Sequence, residues 1–590
     1  MGILMSARGN RIPKKSRGTD LDQAMAQCRK ALGTLTFFSL AINILTLASP
    51  LYMLQVYDRV MITGSVNTLI MLTAMAAAAL LLFGILDAMR TVLTVRMASW
   101  LSDRLGPVYL AHSVRTRLMG DGSGAQPLRD LAQVQAFISS PGLSVFFDAP
   151  WAPVYLALIW ILHPALGMLA VCSAGVLLVL GIANEALTRK ANSVANQAQI
   201  VATLQAEVTI RNAEVVRSMG MLPALVERWR DANDVGVRAA QRANERGAIL
   251  LGLTKFARLF MQSAILGLGA YLVLKGQVSG GAMIASSILL GRALAPVEQA
   301  MAAWRNFGIA RVSYARLKTR LHSIPEETRH IRLPDPAGFI SLDQVSYTPP
   351  GTGTPVLNHV SFQAKPGEAI AIIGPSASGK STLCRLLVGV ARPTSGCVRL
   401  DGSDLMHWNP DELGRHLGYL PQDSELFPGT IRDNIARMSG IDEGAVIEAA
   451  MLAHAHEMIQ LLPNGYDTAI GDGGMRLSGG QRQRIGLARA VYGIPRLIVL
   501  DEPNANLDQA GEAALSAALA EMKRRGATLL LVGHRPSTIA QADKILVLKD
   551  GRVDAFGSRD DILKRLRIAV SDTTPAREPA RDNEMAVSAS

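Results

Sequence analysis

The sequence predicts a membrane domain of six α-helices followed by an α/β domain that carries a phosphate-binding loop. The chain has 590 residues, of which 49% are hydrophobic, and its long apolar stretches all precede residue 310. A glycine-rich loop around Lys380 follows a short apolar run in the second half. Because the chain is too long for one ordinary domain, the two halves are expected to fold separately.

Six apolar stretches are long enough to cross a bilayer, which takes about 20 residues each. The third and fourth meet at His163-Pro164, where a tight turn is expected, and the fifth carries Lys255 and Arg258 near its start. The expected spans are residues 35–54, 69–86, 151–168, 169–186, 249–274 and 283–304.

Charge before the first span predicts the orientation of the chain. Only Asp20 and Asp22 oppose the basic residues Arg8, Arg11, Lys14, Lys15, Arg17, Arg29 and Lys30. The positive-inside rule therefore places the N-terminus in the cytoplasm, and six crossings return the C-terminus to the same side.

Two polar stretches, residues 87–150 and 187–247, are far longer than ordinary connections between helices. Both are rich in helix-favouring residues. They are expected to form long helical extensions into the cytoplasm.

The phosphate-binding loop is expected between a buried strand at 369–373 and a following helix. Its glycines allow backbone N–H groups to point at phosphates, Lys380 adds a positive charge, and the Ser381 hydroxyl is suited to Mg²⁺. The loop residues are Gly374, Pro375, Ser376, Ala377, Ser378, Gly379, Lys380, Ser381 and Thr382.

A second apolar strand, at 497–500, delivers two carboxylates to its C-terminal end, where ligands bind in open α/β sheets. Asp501 is placed to hold magnesium. Glu502 suits a catalytic base that orients water for attack on a γ-phosphate. A purely structural carboxylate pair is the alternative, which the preceding phosphate loop disfavours.

Between these motifs the chain reads Leu477-Ser-Gly-Gly-Gln481, and this order of motifs resembles the ATP-binding cassette (ABC) proteins. The resemblance implies binding of ATP and Mg²⁺. It implies that Tyr347 stacks on adenine, that Gln422 senses the metal and that His534 contacts the γ-phosphate during catalysis. The further nucleotide contacts that it implies are Ser478, Gly480, Gln481 and Asp508.

Cassettes of this family pair head to tail, so Ser478 and Gly480 are expected to close over ATP held by Lys380 of another subunit. This chain has one cassette, and a homodimer is therefore expected unless a different half-transporter supplies the second cassette. The resemblance thus implies an ABC exporter with a six-helix transmembrane domain and an α/β nucleotide-binding domain. The expected boundaries are 1–30 for a cytoplasmic segment, 31–320 for the membrane domain, 338–568 for the ATPase domain and 572–590 for a disordered tail.

Four phrases narrow the resemblance to the type I secretion permease/ATPases of the PrtD-like group, which export proteases and haemophores. The phrases occupy residues 50–59, 147–153, 212–222 and 291–299. In that family the exporter lies in the bacterial inner membrane with a HlyD-like periplasmic adaptor and a TolC-like outer-membrane channel. The implied cargo is an unfolded protein with a C-terminal signal, such as a protease or another RTX-type protein.

Two other functions remain open from the residues alone. Exporters of lipids or small molecules share the same architecture, and a soluble ABC ATPase of DNA metabolism would agree with the net charge of +12. Such soluble proteins lack spanning helices, and here the basic residues flank the apolar stretches. Contact with anionic membrane lipid explains the charge better than nucleic acid.

Three ionisable residues lie in or near the last two spans, where burial of a charge is costly unless it is paired. Arg258 and Glu298 fall at about the same depth and are expected to pair across the fifth and sixth helices. Arg292 is expected to line a polar path for the cargo. The alternative for Arg258 and Glu298 is that both reach independently to the membrane surface.

Overall fold

The computed structural model of the chain describes residues 20–120, 124–322, 333–471, 477–505, 507 and 509–572. The chain forms two compact units, which divide between residues 322 and 333. The expected tail at 572–590 lies outside the described residues apart from Asp572.

The first unit is built of helices. A π-helical turn, Val56–Val60, and a 3₁₀ turn, Ala149–Trp151, interrupt the α-helical course of two of its segments. The α-helices are α1 (Asp20–Leu45), α2 (Ala48–Gln55), α3 (Met61–Thr63), α4 (Val66–Leu118), α5 (Gln126–Ile138), α6 (Pro141–Asp148), α7 (Ala152–Leu162), α8 (Pro164–Arg211), α9 (Ala213–Ser218), α10 (Leu222–Leu274) and α11 (Gly280–His322).

Within the described part of the chain, six helical stretches are long and apolar enough to cross a membrane, as predicted. Helices α4 and α10 each contain 53 residues. At 1.5 Å per residue such a helix is about 80 Å long, more than twice the thickness of a bilayer core. The expected long helical extensions therefore exist as continuations of the apolar helices.

The expected boundaries of the third and fourth spans were wrong. Helix α7 ends at Leu162, and α8 begins at Pro164, so residues 163–168 belong to the fourth helix. His163 has an extended backbone, and its Nδ1 accepts a hydrogen bond from the Ala165 N–H at 3.2 Å, which caps α8. Proline favours the first position of a helix, so the new helix begins at Pro164.

The start of the third span also differs from the expectation. The apolar stretch begins at Pro141, so residues 141–150, which were assigned to a cytoplasmic extension, belong to it. The sequence did not reveal this because Ser139, Ser140 and Pro150 interrupt the apolar pattern.

Arg258 and Glu298 form the expected ion pair between α10 and α11. Arg258 Nε lies 3.0 Å from Glu298 Oε2, although its N–H is not aligned for a hydrogen bond. Both side chains are largely covered. Arg292 is exposed on the single chain, and its expected position on a cargo path stays a prediction.

The second unit contains twelve strands and nine α-helices among its described residues. The strands are β1 (Ile340–Tyr347), β2 (Leu357–Ala364), β3 (Ala369–Ile373), β4 (Ser395–Leu400), β5 (Ser403–Asp404), β6 (Leu417–Leu420), β7 (Gly429–Thr430), β8 (Ala469–Ile470), β9 (Leu497–Asp501), β10 (Thr528–Val532), β11 (Lys544–Lys549) and β12 (Arg552–Ser558). The helices are α12 (Lys380–Leu387), α13 (Pro410–His416), α14 (Ile431–Ile435), α15 (Glu443–Leu452), α16 (His456–Gln460), α17 (Gly479–Val491), α18 (Gln509–Arg524), α19 (Pro536–Ala540) and α20 (Arg559–Asp572).

A six-stranded sheet organises this unit, with the strand order β12-β11-β3-β10-β9-β6. All neighbours are parallel except the edge strand β12. Strands β9 and β10 are buried throughout, because helices and a second, antiparallel sheet supply apolar cores on the two faces. The carboxyl ends of β3, β6, β9 and β10 consequently lie along one edge.

The close approach of α7 and α8 provides a test of this packing. A Cβ added at Gly167 would lie 2.8 Å from Trp160 Cα, which is backbone and cannot move away cheaply. We expect Gly167→Ala to destabilise the detergent-solubilised protein by about 1–3 kcal/mol, as overpacking does. Thermal unfolding measures this, with Gly175→Ala on the same helix as the control, since its Cβ would meet nothing within 4 Å. Equal stability of the two variants would contradict the packing.

Candidate nucleotide-binding site

The phosphate loop joins the end of β3 to the start of α12 and needs glycine at both of its ends. A Cβ at Gly374 would overlap the Leu548 carbonyl oxygen. Gly379 caps α12 with φ of 98°, and its Cβ would lie 2.7 Å from Leu357 Cδ2. Ala377 also has a positive φ of 64°. The loop is thus a tight turn directed into the N-terminus of a helix, which attracts anions.

Lys380 places a positive charge within this loop. Its ammonium donates hydrogen bonds to the carbonyls of Gly374, at 2.9 Å, and Pro375, at 2.8 Å. The side chain is buried, as is the Ser378 hydroxyl, which has no partner among the described residues. A buried cation and an unpaired hydroxyl beside backbone N–H groups fit a polyphosphate.

Asp501 ends β9 next to the loop. Burial raises the pKa of its carboxyl, and the nearby charge of Glu502 adds to the rise, while a hydrogen bond from Ser381 and the charge of Lys380 oppose it. Its Oδ1 atom has no partner among the described residues, although the side chain is only 3% exposed. A buried carboxylate oxygen beside a serine hydroxyl fits a hard divalent cation.

Glu502 is held from several sides in a left-handed backbone conformation, with φ of 50°. Its N–H donates to the Val532 carbonyl at 3.0 Å, and its Oε2 accepts a hydrogen bond from Gln422 Nε2 at 3.1 Å. Non-glycine residues at positive φ often mark functional sites, where the surrounding structure offsets the strain.

Tyr347 and His534 come to the same edge of the unit. Tyr347 is half-buried at the end of β1, where it pairs with Leu357, the residue that contacts Gly379. His534 is exposed and follows β10, whose Val532 pairs with Asp501. The register of the six-stranded sheet thus brings the end of β10 next to Asp501, and the pairing of β1 with β2 brings Tyr347 near the phosphate loop.

Ser478 and Gln481 begin α17 and bind each other. The Ser478 hydroxyl accepts from the Gln481 N–H at 3.2 Å, and the Gln481 side chain accepts from the Ser478 N–H at 2.8 Å. This capping box leaves Ser478 exposed at the helix N-terminus, with Gly480 in the first turn. Asp508, the remaining expected contact, lies outside the described residues.

Gln483 is a site residue that the sequence analysis missed. It is only 5% exposed, and its Nε2 donates to the carbonyls of Glu502, at 3.3 Å, and Pro503. Helical spacing could have indicated its role. Gln483 lies four residues before Leu487, so both face the buried side of α17, where a polar side chain needs a hydrogen-bond partner.

The fold and the site together define an ABC exporter. Residues 32–294 match the family model described as the ABC transporter transmembrane region, and residues 357–505 match the one described as ABC transporter. A solved structure of a bacterial Atm1-family ABC exporter with ATP bound has the same fold, with a TM-score of 0.80 at 22% identity. The alignment covers 94% of this chain and 100% of that one.

The curated relatives are more specific. The type I secretion system ATP-binding protein PrsD of Rhizobium meliloti is 41% identical, over 93% of this chain and 95% of its own length. The cyclolysin secretion/processing ATP-binding protein CyaB of Bordetella pertussis is 31% identical, and the leukotoxin translocation ATP-binding protein LktB of Mannheimia haemolytica is 30% identical. Each of these two alignments covers 92% of this chain and 77% of the relative.

The chain belongs to the type I secretion system ATP-binding proteins. It is a multi-pass membrane protein and an ATP-driven exporter, as its motifs predicted. This result rules out the soluble DNA-associated ATPase as its class.

The buried carboxyl of Asp501 gives a pH-dependent prediction for the chain without nucleotide. Because its pKa is raised in the folded state, the ionised carboxylate costs stability at neutral pH, and this cost disappears when both states are protonated at low pH. We expect Asp501→Asn to raise the unfolding temperature at pH 7, at roughly 2–4 °C per kcal/mol, and the gain to shrink as the pH falls. Thermal unfolding of the full chain across pH measures it.

The exposed carboxylate of Asp554 supplies the control, and Asp554→Asn should leave the unfolding temperature unchanged. A variant Asp501→Asn that is less stable than the parent at pH 7 would contradict this account of the site.

Proposed function

We propose that this chain is the exporter of a bacterial type I secretion system and that it hydrolyses ATP to move an unfolded protein with a C-terminal signal out of the cytoplasm. The observation that carries the proposal is the similarity to PrsD, which extends over the membrane unit and the ATPase unit alike. Similarity in the ATPase unit alone would support ATP binding but would give no indication of the cargo. The cargo class is a protease or another RTX-type protein.

The described geometry supports separate roles for the residues around the nucleotide. The residues 374–382 bind the phosphates through backbone N–H groups and Lys380, and Tyr347 stacks on the adenine. Ser381, Gln422 and Asp501 would hold Mg²⁺, which offsets the negative charge of the phosphates.

Glu502 and His534 carry out the hydrolysis step. Glu502 accepts a proton from the attacking water, and the hydrogen bond from Gln422 fixes its carboxylate in place. His534 contacts the γ-phosphate, where negative charge develops.

The site is completed by a second copy of the chain. The exposed N-terminus of α17 carries partial positive charge, which suits a phosphate presented by another subunit. Ser478, Gly480, Gln481 and Asp508 of each chain thus act on ATP bound to its partner.

The exporter works in the inner membrane, with both termini in the cytoplasm and lipid around its apolar helices. Its further partners are a HlyD-like periplasmic adaptor, a TolC-like outer-membrane channel and the secreted protein. The domains are 1–30, 31–320 and 338–568, with a tail at 572–590.

The shared site predicts complementation between two inactive variants. Lys380→Ala and Ser478→Arg should each abolish hydrolysis, because each removes one element from both sites of its homodimer. In a mixed dimer both changes fall in one site, and the other site is intact. Trapping of nucleotide by vanadate measures hydrolysis. We expect no trapping in either variant alone and recovered trapping when the two variants are co-expressed. Isolated mixed dimers that trap no nucleotide would contradict the shared site.

The cargo is tested by comparing the proteins in the culture medium of strains that carry the parent exporter or Glu502→Gln. The substitution keeps the size of the side chain but removes its basicity, so ATP should bind without efficient hydrolysis. We expect selective loss of one or a few proteins from the medium. Glu457→Gln, an exposed residue on α16, is the matched control.

An unchanged medium, from cells in which the parent exporter is present and hydrolyses ATP, would contradict protein export. It would instead favour a lipid or small-molecule cargo.

A further inference from the structure

The third membrane stretch contains helices α6 and α7, and helix α5 precedes it. Ser140 has an extended backbone, with φ of −83° and ψ of 156°, and separates α5 from α6. The 3₁₀ turn at Ala149–Trp151 separates α6 from α7. Helix α6, Pro141–Asp148, therefore begins after an extended residue and continues through the 3₁₀ turn into α7.

The carboxylate at the C-terminal end of α6 is bound by two other membrane helices. Asp148 Oδ1 accepts hydrogen bonds from Ser39 Oγ, at 2.7 Å, and Asn43 Nδ2, at 3.0 Å, which both belong to α1. Arg90 of α4 donates through Nη1 to both carboxylate oxygens, at 2.9 and 3.0 Å. Its Nη2 donates to Asp87 at 2.7 Å, so Arg90 is paired with two carboxylates.

The polar contacts continue from α1 to α7. The Tyr155 hydroxyl lies 2.9 Å from Asn43 Oδ1 and 2.8 Å from Thr46 Oγ1. Ser39, Asn43, Thr46, Arg90 and Tyr155 are all buried. If these helices separated, buried polar groups would lose their hydrogen-bond partners, which is energetically costly. The contacts therefore hold the helices together strongly.

The other end of α6 is packed against α11. A Cβ at Gly142 would lie 2.7 Å from Ala303 Cβ, and the ring centroids of Phe146 and Phe307 are 5.0 Å apart. This close approach gives α6 no room to slide along α11 without moving it.

Helix α5 is attached to α11 as well, by an ion pair in which the carboxylate is fully buried. Asp130 accepts from Arg316 Nε at 3.0 Å and from Arg316 Nη2 at 2.6 Å. Helix α11 is the last described helix before the ATPase unit along the chain. The segments α5 and α6 thus connect α11 with α1 and α4.

We propose that α6 transmits displacement of α11 to α1 and α4 during the transport cycle and that Asp148 is the positioning residue that makes this attachment. The inference rests on the proposed export of protein. Asp148 acts through Ser39, Asn43 and Arg90, within the membrane unit, and not on the nucleotide. Loss of the attachment should therefore separate hydrolysis from transport.

The test measures ATP hydrolysis by the purified full chain and secretion of the cargo in cells, both per exporter molecule. Asp148→Asn keeps the shape of the side chain but removes the charge that binds Arg90. We expect hydrolysis to stay within about twofold of the parent and secretion per ATP to fall about tenfold, as loss of a charged hydrogen bond in a buried site allows.

A second variant guards against simple misfolding of the first. Asn43→Ala removes contacts to Asp148 and Tyr155 without leaving a charge unpaired, and it should lower secretion per ATP in the same way. Asp234→Asn is the matched control, since it removes an exposed carboxylate that pairs with Arg238 on the same helix. The control should match the parent in both measurements.

A purely structural role predicts that hydrolysis and secretion fall together, in proportion to the folded exporter that remains. If hydrolysis and secretion fall together in both variants, or if secretion is unchanged in both, the inference is overturned. A parent chain that hydrolyses ATP but releases no protein overturns the proposed function and this inference with it. A parent that secretes, with variants that behave like it, overturns the inference alone.

Discussion

The pairing of charged groups in apolar surroundings is the constraint on which the membrane unit depends. In a bilayer, water cannot replace a lost partner, so a charged or polar side chain there must meet another one. Asp148 with Arg90 and Arg258 with Glu298 obey this requirement across different helices. Outside the six membrane stretches, the fully covered Asp130 of α5 is likewise paired with Arg316. Together with apolar packing, these pairs hold specific helices against one another.

At the candidate nucleotide site, two buried polar atoms lack hydrogen-bond partners among the described residues. Asp501 Oδ1 and the Ser378 hydroxyl are in this state, and Glu502 holds a strained backbone conformation. Such features lower the stability of the chain without ligand, and they are typical of sites where a bound ligand interacts with them. The ion pairs of Asp148 and Arg258 in the membrane unit join different helices, whereas these atoms of the ATPase unit lie beside the phosphate loop, where a nucleotide is expected to bind.

Local patterns predicted much of this architecture. The phosphate loop and the strands before Gly374 and Asp501 follow from apolar runs that end in glycine or carboxylate, and the six membrane stretches follow from length and composition. The pair Arg258 and Glu298 could be predicted because both residues lie in adjacent helices joined by a short turn. Depth in the membrane then follows from counting residues.

The remaining features depend on contacts between distant parts of the chain. Asp148 meets Arg90 from 58 residues away and Ser39 from 109 residues away, and no periodicity encodes these partners. The break at Ser140 was missed because a serine pair before proline also occurs in polar extensions. Gln483 was missed because its contact with Glu502 forms only when β9 and α17 pack together, and nothing in the local sequence around it indicates that contact.

Two chains are proposed to form together the site that drives export, and a cryo-electron microscopy structure of full-length Glu502→Gln with Mg²⁺ and ATP would show whether they do. We expect a homodimer with each ATP held between Lys380 of one chain and Ser478 of the other, and with the metal beside Ser381 and Asp501. A nucleotide enclosed by a single chain, or one bound away from the loop at 374–382, would contradict it.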